Sequence, residues 1–196
     1  FFQAWCEGKT GYPMVDACMR ALIATGWINF RMRAMLVSFS SYHLWLHWRR
    51  PALHLARLFV DYEPGIHYSQ VQMQSGTTGM NATRIYSPTK QVLDHDPEGE
   101  FIRWWLPELA RVPVEFIAEP WRMPQPLQEA ADCIIGRDYP APIVDHIKAY
   151  RDAQTRMRPA TLAARASGAS QRVFTRHGSR RGPQRTPQRA SAGRFR

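Results

Sequence analysis

Pro13-Met14-Val15-Asp16-Ala17-Cys18-Met19-Arg20-Ala21-Leu22-Ile23-Ala24-Thr25 carries the clearest structural signal in this chain of 196 residues. Pro13 suits the first turn of a helix, and Asp16 lies near its positive end. Val15, Met19, Leu22 and Ile23 recur at the helical period, and Gly26 then ends it. The same reading extends downstream. A longer helix is predicted from about Asn29 to Trp48, capped by Asn29, with Met32, Met35, Leu36, Phe39, His43 and Leu46 along one side. Pro51 starts a third, with Leu55, Leu58 and Phe59 inward and Arg57 outward. Asp96-Pro97-Glu98-Gly99-Glu100 is another helix start, stopped by Pro107, and Pro142 begins a last one. Residues 61–91 hold Pro64, Gly65, Gly76, Gly79 and Pro88 with little periodicity. They read as a long ordered loop of the kind that usually serves a function. There is no extended apolar–polar alternation and no internal repeat, so the fold class is all-α.

Composition bounds the rest. The chain is 44% hydrophobic and 12% aromatic, enough for a packed core. No apolar run reaches the roughly 18 residues of a membrane-spanning helix. The opening Phe1-Phe2-Gln3-Ala4-Trp5 has neither the basic start nor the apolar stretch of a signal peptide. It also lacks an initiating Met, which suggests a fragment. Cys6, Cys18 and Cys133 cannot close a disulfide framework, which points to a reducing compartment, the cytoplasm. The net charge of +10 is unevenly placed. From Thr155 onward there are eleven Arg and no Lys, Asp or Glu, which leaves residues 1–154 with fifteen basic residues against sixteen acidic. Two regions follow: a folded part, 1–154, and an arginine-rich tail, 155–196. The tail is too polar to offset the cost of ordering and is expected to be disordered when free. It either attracts phosphate or merely solubilises.

Several motifs resist a chemical reading. Gly8-Lys9-Thr10 resembles the end of a phosphate-binding loop, but the required earlier Gly is Gln3 and no strand precedes it. His43 and His47 have metal-ligand spacing on a helix, yet the zinc-protease pattern fails at Leu44. Three cysteines are too few for a four-cysteine iron–sulfur cluster. No metal is expected. Arg31 and Arg33 sit just inside the start of the second helix. They are either solvated charges or the partners of carboxylates, Asp61 and Glu63 being the obvious ones, with a buried Arg33–Asp61 pair the specific expectation. Seven Trp are explained by core packing or by electron transfer.

Taken together, these segments resemble the flavin-binding domain of the photolyase and cryptochrome family over about Phe2 to Tyr150. The carriers are Trp5-Cys6-Glu7-Gly8-Lys9-Thr10-Gly11-Tyr12-Pro13, Gly26-Trp27, Arg31-Met32-Arg33, Arg84-Ile85-Tyr86-Ser87-Pro88 with Gln91, Asp96-Pro97, Trp105-Leu106-Pro107-Glu108-Leu109 and Tyr139-Pro140-Ala141-Pro142. The resemblance implies a multi-helix domain holding FAD. In photolyases the light-excited flavin passes an electron to a flipped-out pyrimidine dimer in DNA and recovers it; in cryptochromes the photochemistry drives signalling. By position, Arg33 and Asp61 match the arginine–aspartate pair beside the flavin, and Asp61, Tyr62 and Glu63 match a flavin-contacting segment. Arg31 matches an arginine of the lesion pocket. Arg84 and Gln91 match a segment touching the DNA strand, with Lys90 beside them. Trp48 matches the middle tryptophan of the electron-transfer chain, and Trp5 an accessory tryptophan near the flavin. The resemblance implies a photolyase-type lyase acting on DNA, or a photoreceptor without repair activity, or a nucleic-acid-binding remnant; a monomer away from membranes is expected.

The departures are equally specific. Asn29, Phe30 and Ala34 stand where the family usually has His, Asn and Met, the last two of which line the dimer pocket. Gln72-Met73-Gln74 replaces a Trp-Gln-Trp-like run, so the tryptophan nearest the flavin is expected to be absent, with Tyr68 the nearest aromatic upstream. By family standards the antenna domain and the phosphate-contacting first part of the flavin domain are missing. The chain is therefore expected to be a fragment or a truncated member with only part of the flavin cradle.

Overall fold

The computed structural model describes residues 1–78 and 84–166. The central element is α2, Pro13–Thr25, with the bounds expected. Gly26 ends it at φ 71, a left-handed conformation that donates its N–H to the Leu22 carbonyl. Val15, Cys18, Met19 and Leu22 are fully buried, because α2 is covered on several sides. Against it pack α1 (Phe2–Cys6), α3 (Phe30–Ser38), α6 (Pro88–His95) and α7 (Glu100–Trp105). The other helices are α4 (Arg49–Leu58), α5 (Pro64–Gln74), α8 (Gln125–Ala130) and α9 (His146–Ala166). No strand occurs among the described residues, only an isolated bridge between Ile135 and Tyr139.

Asp16 fastens distant parts of the chain to α2. Its carboxylate is wholly buried and accepts from Thr10 N–H at 2.8 Å, Thr10 Oγ1 at 2.6 Å, Gly11 N–H at 3.0 Å and Tyr139 Oη at 2.7 Å. Burial pushes its pKa up to about 6, against the opposing pull of the Thr10, Tyr139 and Gly11 donors. Gly11 is required here: at φ 79, a Cβ would fall 2.5 Å from the Ala141 carbonyl. The Gly-Lys-Thr-Gly segment is thus a structural loop docked on a carboxylate. Asp96 acts similarly at α7, accepting from Phe101 and Ile102 N–H at 3.2 and 2.9 Å.

Four expectations are corrected. The second helix does not reach Trp48. Asn29 caps α3 by accepting from Met32 N–H, but Phe39–His43 is a π-helical turn, with Leu44 N–H bonded to the Phe39 carbonyl. Ring stacking of Phe39 on His43 at 5.0 Å accompanies the turn, and Trp45 at φ 51 breaks the run. The segment 61–91 is not a loop throughout, since it contains α5 and α6, each with proline in its first turn and a capping side chain, Glu63 and Ser87. The last helix starts at His146 rather than Pro142, because the Asp145 carboxylate caps it by accepting from Ile147 and Lys148 N–H.

That helix also runs past Gln154, so disorder from Thr155 onward is corrected for 155–166. Ala153 is fully buried and the Arg156 guanidinium lies 4.8 Å from the Trp45 ring centroid, which extends the docked stretch. The arginine-rich segment 167–196 lies outside the described residues.

Candidate functional site

Arg33 is positioned by three contacts. Its Nε donates to the Ile28 carbonyl at 2.8 Å, its guanidinium lies 4.1 Å from the Phe59 ring centroid, and one terminal nitrogen donates to both Asp61 oxygens at 3.1 and 2.8 Å. The Arg33 hydrogen bond holds the Asp61 carboxyl below its ordinary range. The expected pair exists, but its burial is corrected. The side chains are 26% and 47% exposed, because no described residue covers their outer side. A pair this open contributes about 0–1 kcal/mol to stability.

The pair borders a cavity of about 100 Å³ between α3 and α5. Phe30, Val37, Leu55, Phe59 and Ile66 give it apolar walls, while Tyr62, Glu63, His67, Gln70, Val71 and Gln74 complete it. All four expected cofactor residues, Arg33, Asp61, Tyr62 and Glu63, therefore meet at one place. Glu63 also caps α5, its carboxylate accepting from Ile66 N–H at 2.6 Å. Tyr62 is edge-on to His67 at 5.4 Å and to Tyr68 at 6.4 Å. His67 shares a hydrogen bond between Nε2 and the Ala52 carbonyl at 2.9 Å, which fixes Nε2 as the protonated nitrogen. Burial holds this imidazole below its ordinary pKa, so it is neutral near pH 7. His67 and Gln70 were missed in the sequence; the signal available was Glu63-Pro64, a cap followed by proline at a helix start.

A second cavity, of about 550 Å³, lies between α3 and α6. It brings together Arg31 and Gln91, two of the residues expected at DNA, with Asn29, His95 and Phe30, the last shared with the first cavity. Gln91 is 8% exposed and its Oε1 has no partner in the protein. The other two expected DNA residues lie outside this cavity. Arg84 is exposed beside the Tyr86 ring, and Lys90 is paired with Asp94 at 3.0 Å.

The two expected electron-transfer residues are apart from both cavities. Trp5 is fully buried in the core against Phe2 and His54 and lines neither cavity. Trp48 is half-buried and stacks on His47 at 5.8 Å. His43 is buried, with its pKa lowered to about 4 chiefly by that burial. It ends the π turn, while His47 lies beyond the helical stretch.

The family described as the FAD binding domain of DNA photolyase matches residues 1–159, and this chain belongs to it. A deoxyribodipyrimidine photo-lyase of Alkalihalophilus pseudofirmus is 38% identical over 152 residues, covering 76% of this chain and 32% of the relative. Cryptochrome-2 of Arabidopsis thaliana is 41% identical over 146 residues, covering 74% and 24%. Among solved structures, a Synechocystis cryptochrome aligns with a TM-score of 0.75 at 33% identity, over 79% of this chain and 32% of that one. A class III photolyase from Agrobacterium tumefaciens aligns at 0.73 and 33%, over 86% and 34%. The chain thus spans about a third or less of the length of these relatives.

Proposed function

We propose that this chain forms the ring-holding part of a FAD site in a light-driven, DNA-directed flavoprotein of photolyase type. The observation that carries the reading is the Arg33–Asp61 pair on the rim of an apolar cavity, at the positions where the family resemblance puts the flavin's arginine and aspartate. The cavity offers apolar walls to one part of a ring system. Its walls are largely apolar, and its volume of about 100 Å³ is too small for a whole dinucleotide. Pockets that bury drug-sized ligands run to about 300–1,000 Å³. When bound, the flavin supplies the light absorption and one-electron chemistry.

The chain's own residues do the rest. Asp61 and Ile28 orient the Arg33 guanidinium toward the ring site. Phe30, Val37 and Phe59 exclude water from it. Arg31 and Gln91, with Arg84 and Lys90 on the outer surface, contact the DNA strand. Trp48 and Trp5 are the proposed electron carriers, each acting at a distance from the cavity. The protein is proposed to act as a cytoplasmic monomer; no helix among the described residues is long and apolar enough to cross a membrane.

A second reading, a cryptochrome-type photoreceptor, is favoured by Phe30 and Ala34. They line the cavity where photolyases carry the asparagine and methionine of the dimer pocket. The test is to load the chain with FAD, add an oligonucleotide carrying a pyrimidine dimer, and illuminate with blue light. Dimer splitting supports the photolyase reading. Flavin binding without splitting supports the photoreceptor, and failure to bind flavin contradicts both.

A further inference from the structure

Trp45 lies at the surface, two residues beyond the π turn, with 45% of the residue exposed. Among the described residues only it and Asp132 combine a side chain with positive φ, and at φ 51 a bulky indole is held where few residues settle. Its exposure leaves apolar ring surface in water, so core packing does not account for this tryptophan. What surrounds it is cationic. The Arg156 guanidinium of α9 lies 4.8 Å from the ring centroid. Lys148, Arg151 and Arg158 are exposed on the same helix, on the side away from the fully buried Ala153. Asp152 is the only acid within α9. Neither Arg151 nor Arg158 pairs with a carboxylate among the described residues.

A row of cations beside an exposed aromatic ring suits a polyanion that also carries flat rings. Single-stranded DNA presents both, phosphates for the guanidinium groups and unstacked bases for the indole. A duplex presents the phosphates alone, because its bases are stacked on one another. An acidic peptide brings the charge without a flat ring at each unit. We infer that Trp45 and the outer face of α9 form a contact for single-stranded DNA, with a base stacked on the indole and Arg151 and Arg158 on neighbouring phosphates. In the chain α9 leads into residues 167–196, whose eight Arg continue the cationic track in sequence. This contact is separate from the one proposed above at Arg31 and Gln91, since neither Trp45 nor any residue of α9 lines either cavity. It also stands apart from the flavin reading.

The test titrates the 196-residue chain into three labelled ligands and follows fluorescence anisotropy. They are an oligothymidylate of about 12 nucleotides, an abasic strand of the same length and charge, and a duplex. The parent binds the thymidylate about tenfold more tightly than the abasic strand, the scale of one base stacked on an aromatic ring. Trp45→Gly suits the backbone at φ 51, and it loses that preference while keeping the parent's affinity for the abasic strand and the duplex. Arg151→Gln combined with Arg158→Gln weakens both single strands alike and lowers the log–log salt slope by about 1.4, two contacts at about 0.7 each. Circular dichroism and thermal melting follow the fold of each variant. A parent without preference for bases, or a Trp45→Gly variant that keeps the preference, overturns the inference. Equal losses on all three ligands together with a lower melting temperature make Trp45 a packing residue and overturn it too. Unchanged affinity and salt slope in the arginine variant remove α9 from the contact. Each of these outcomes leaves the flavin reading as it stands.

Discussion

Replacing Asp16 by Asn removes a specific part of the pH dependence of stability. In the fold the carboxyl is fully buried and its pKa is raised to about 6, whereas an unfolded aspartate titrates near 4. A raised folded-state value means that the fold favours the neutral form. The stabilisation is fully present below about pH 4 and is lost as pH rises through about 6. A pKa difference of that size corresponds to about 2–3 kcal/mol between pH 4 and 7, a large share of the ~5–15 kcal/mol that holds a domain folded. Asparagine keeps the shape and the acceptor oxygen for Thr10 but cannot ionise. The stability difference, Asp16→Asn minus parent, should therefore rise by about 2–3 kcal/mol from pH 4 to 7. Most of that rise falls between about pH 4 and 6. Titrations of other groups, such as Asp61 with its lowered pKa, cancel in the difference. Urea unfolding followed by tryptophan fluorescence at several pH values reads it directly. A flat difference would refute the reasoning. A difference of opposite slope would show that the donors from Thr10, Gly11 and Tyr139 outweigh burial.

Gly11→Ala should destabilise the chain by about 2 kcal/mol or more, since the backbone at φ 79 has no room beside Ala141; thermal melting checks it, and an unchanged midpoint would contradict the docking of this loop. Flavin photoreduction in the loaded protein should not use a chain of three tryptophans: Gln72 stands where the ring-proximal one is expected, Trp48 is outside the cavity lining, and Tyr62 with Tyr68 lies nearer. Transient absorption decides this, and a tryptophan radical formed at normal speed in the parent but lost in Trp48→Phe would show the alignment to be wrong. Removing residues 167–196, which carry eight Arg and no acid, should weaken non-specific DNA binding while leaving α9 whole. If about six arginines engage, raising salt from about 50 to 200 mM should cost the parent roughly three decades of affinity. Fluorescence anisotropy measures both, and unchanged affinity on truncation would leave DNA contact to Arg31, Arg84, Lys90 and Gln91.

What the sequence reveals depends on whether local signals agree. At α2 the proline, the acid, the apolar period and Gly26 coincide, and the helix has the expected bounds. After α3 they mislead, because Phe39, His43 and Leu46 continue the stripe through a π turn that composition does not mark. The α5 helix is hidden by its own site, since Gln70 and Gln74 interrupt the apolar period where the cavity lies. Arg33 and Asp61 are legible as a pair because charged residues on apolar faces need partners. Their exposure is not, because it depends on what covers them. The Asp16–Tyr139 bond joins residues 123 apart, and no local pattern announces it.

The central claim is that the cavity beside Arg33 is the flavin site. The direct measurement is FAD affinity by fluorescence quenching for the parent chain, Arg33→Ala and Arg31→Ala, with circular dichroism confirming the folds. Arg33 borders the α3–α5 cavity and is held by Ile28, Phe59 and Asp61, whereas Arg31 lies on the α3–α6 cavity. Losing a charged hydrogen-bond donor costs about 1.5–3 kcal/mol, roughly 10- to 100-fold in affinity. The account predicts that loss for Arg33→Ala and little change for Arg31→Ala. Equal affinity in the two variants, or a greater loss in Arg31→Ala, would contradict it.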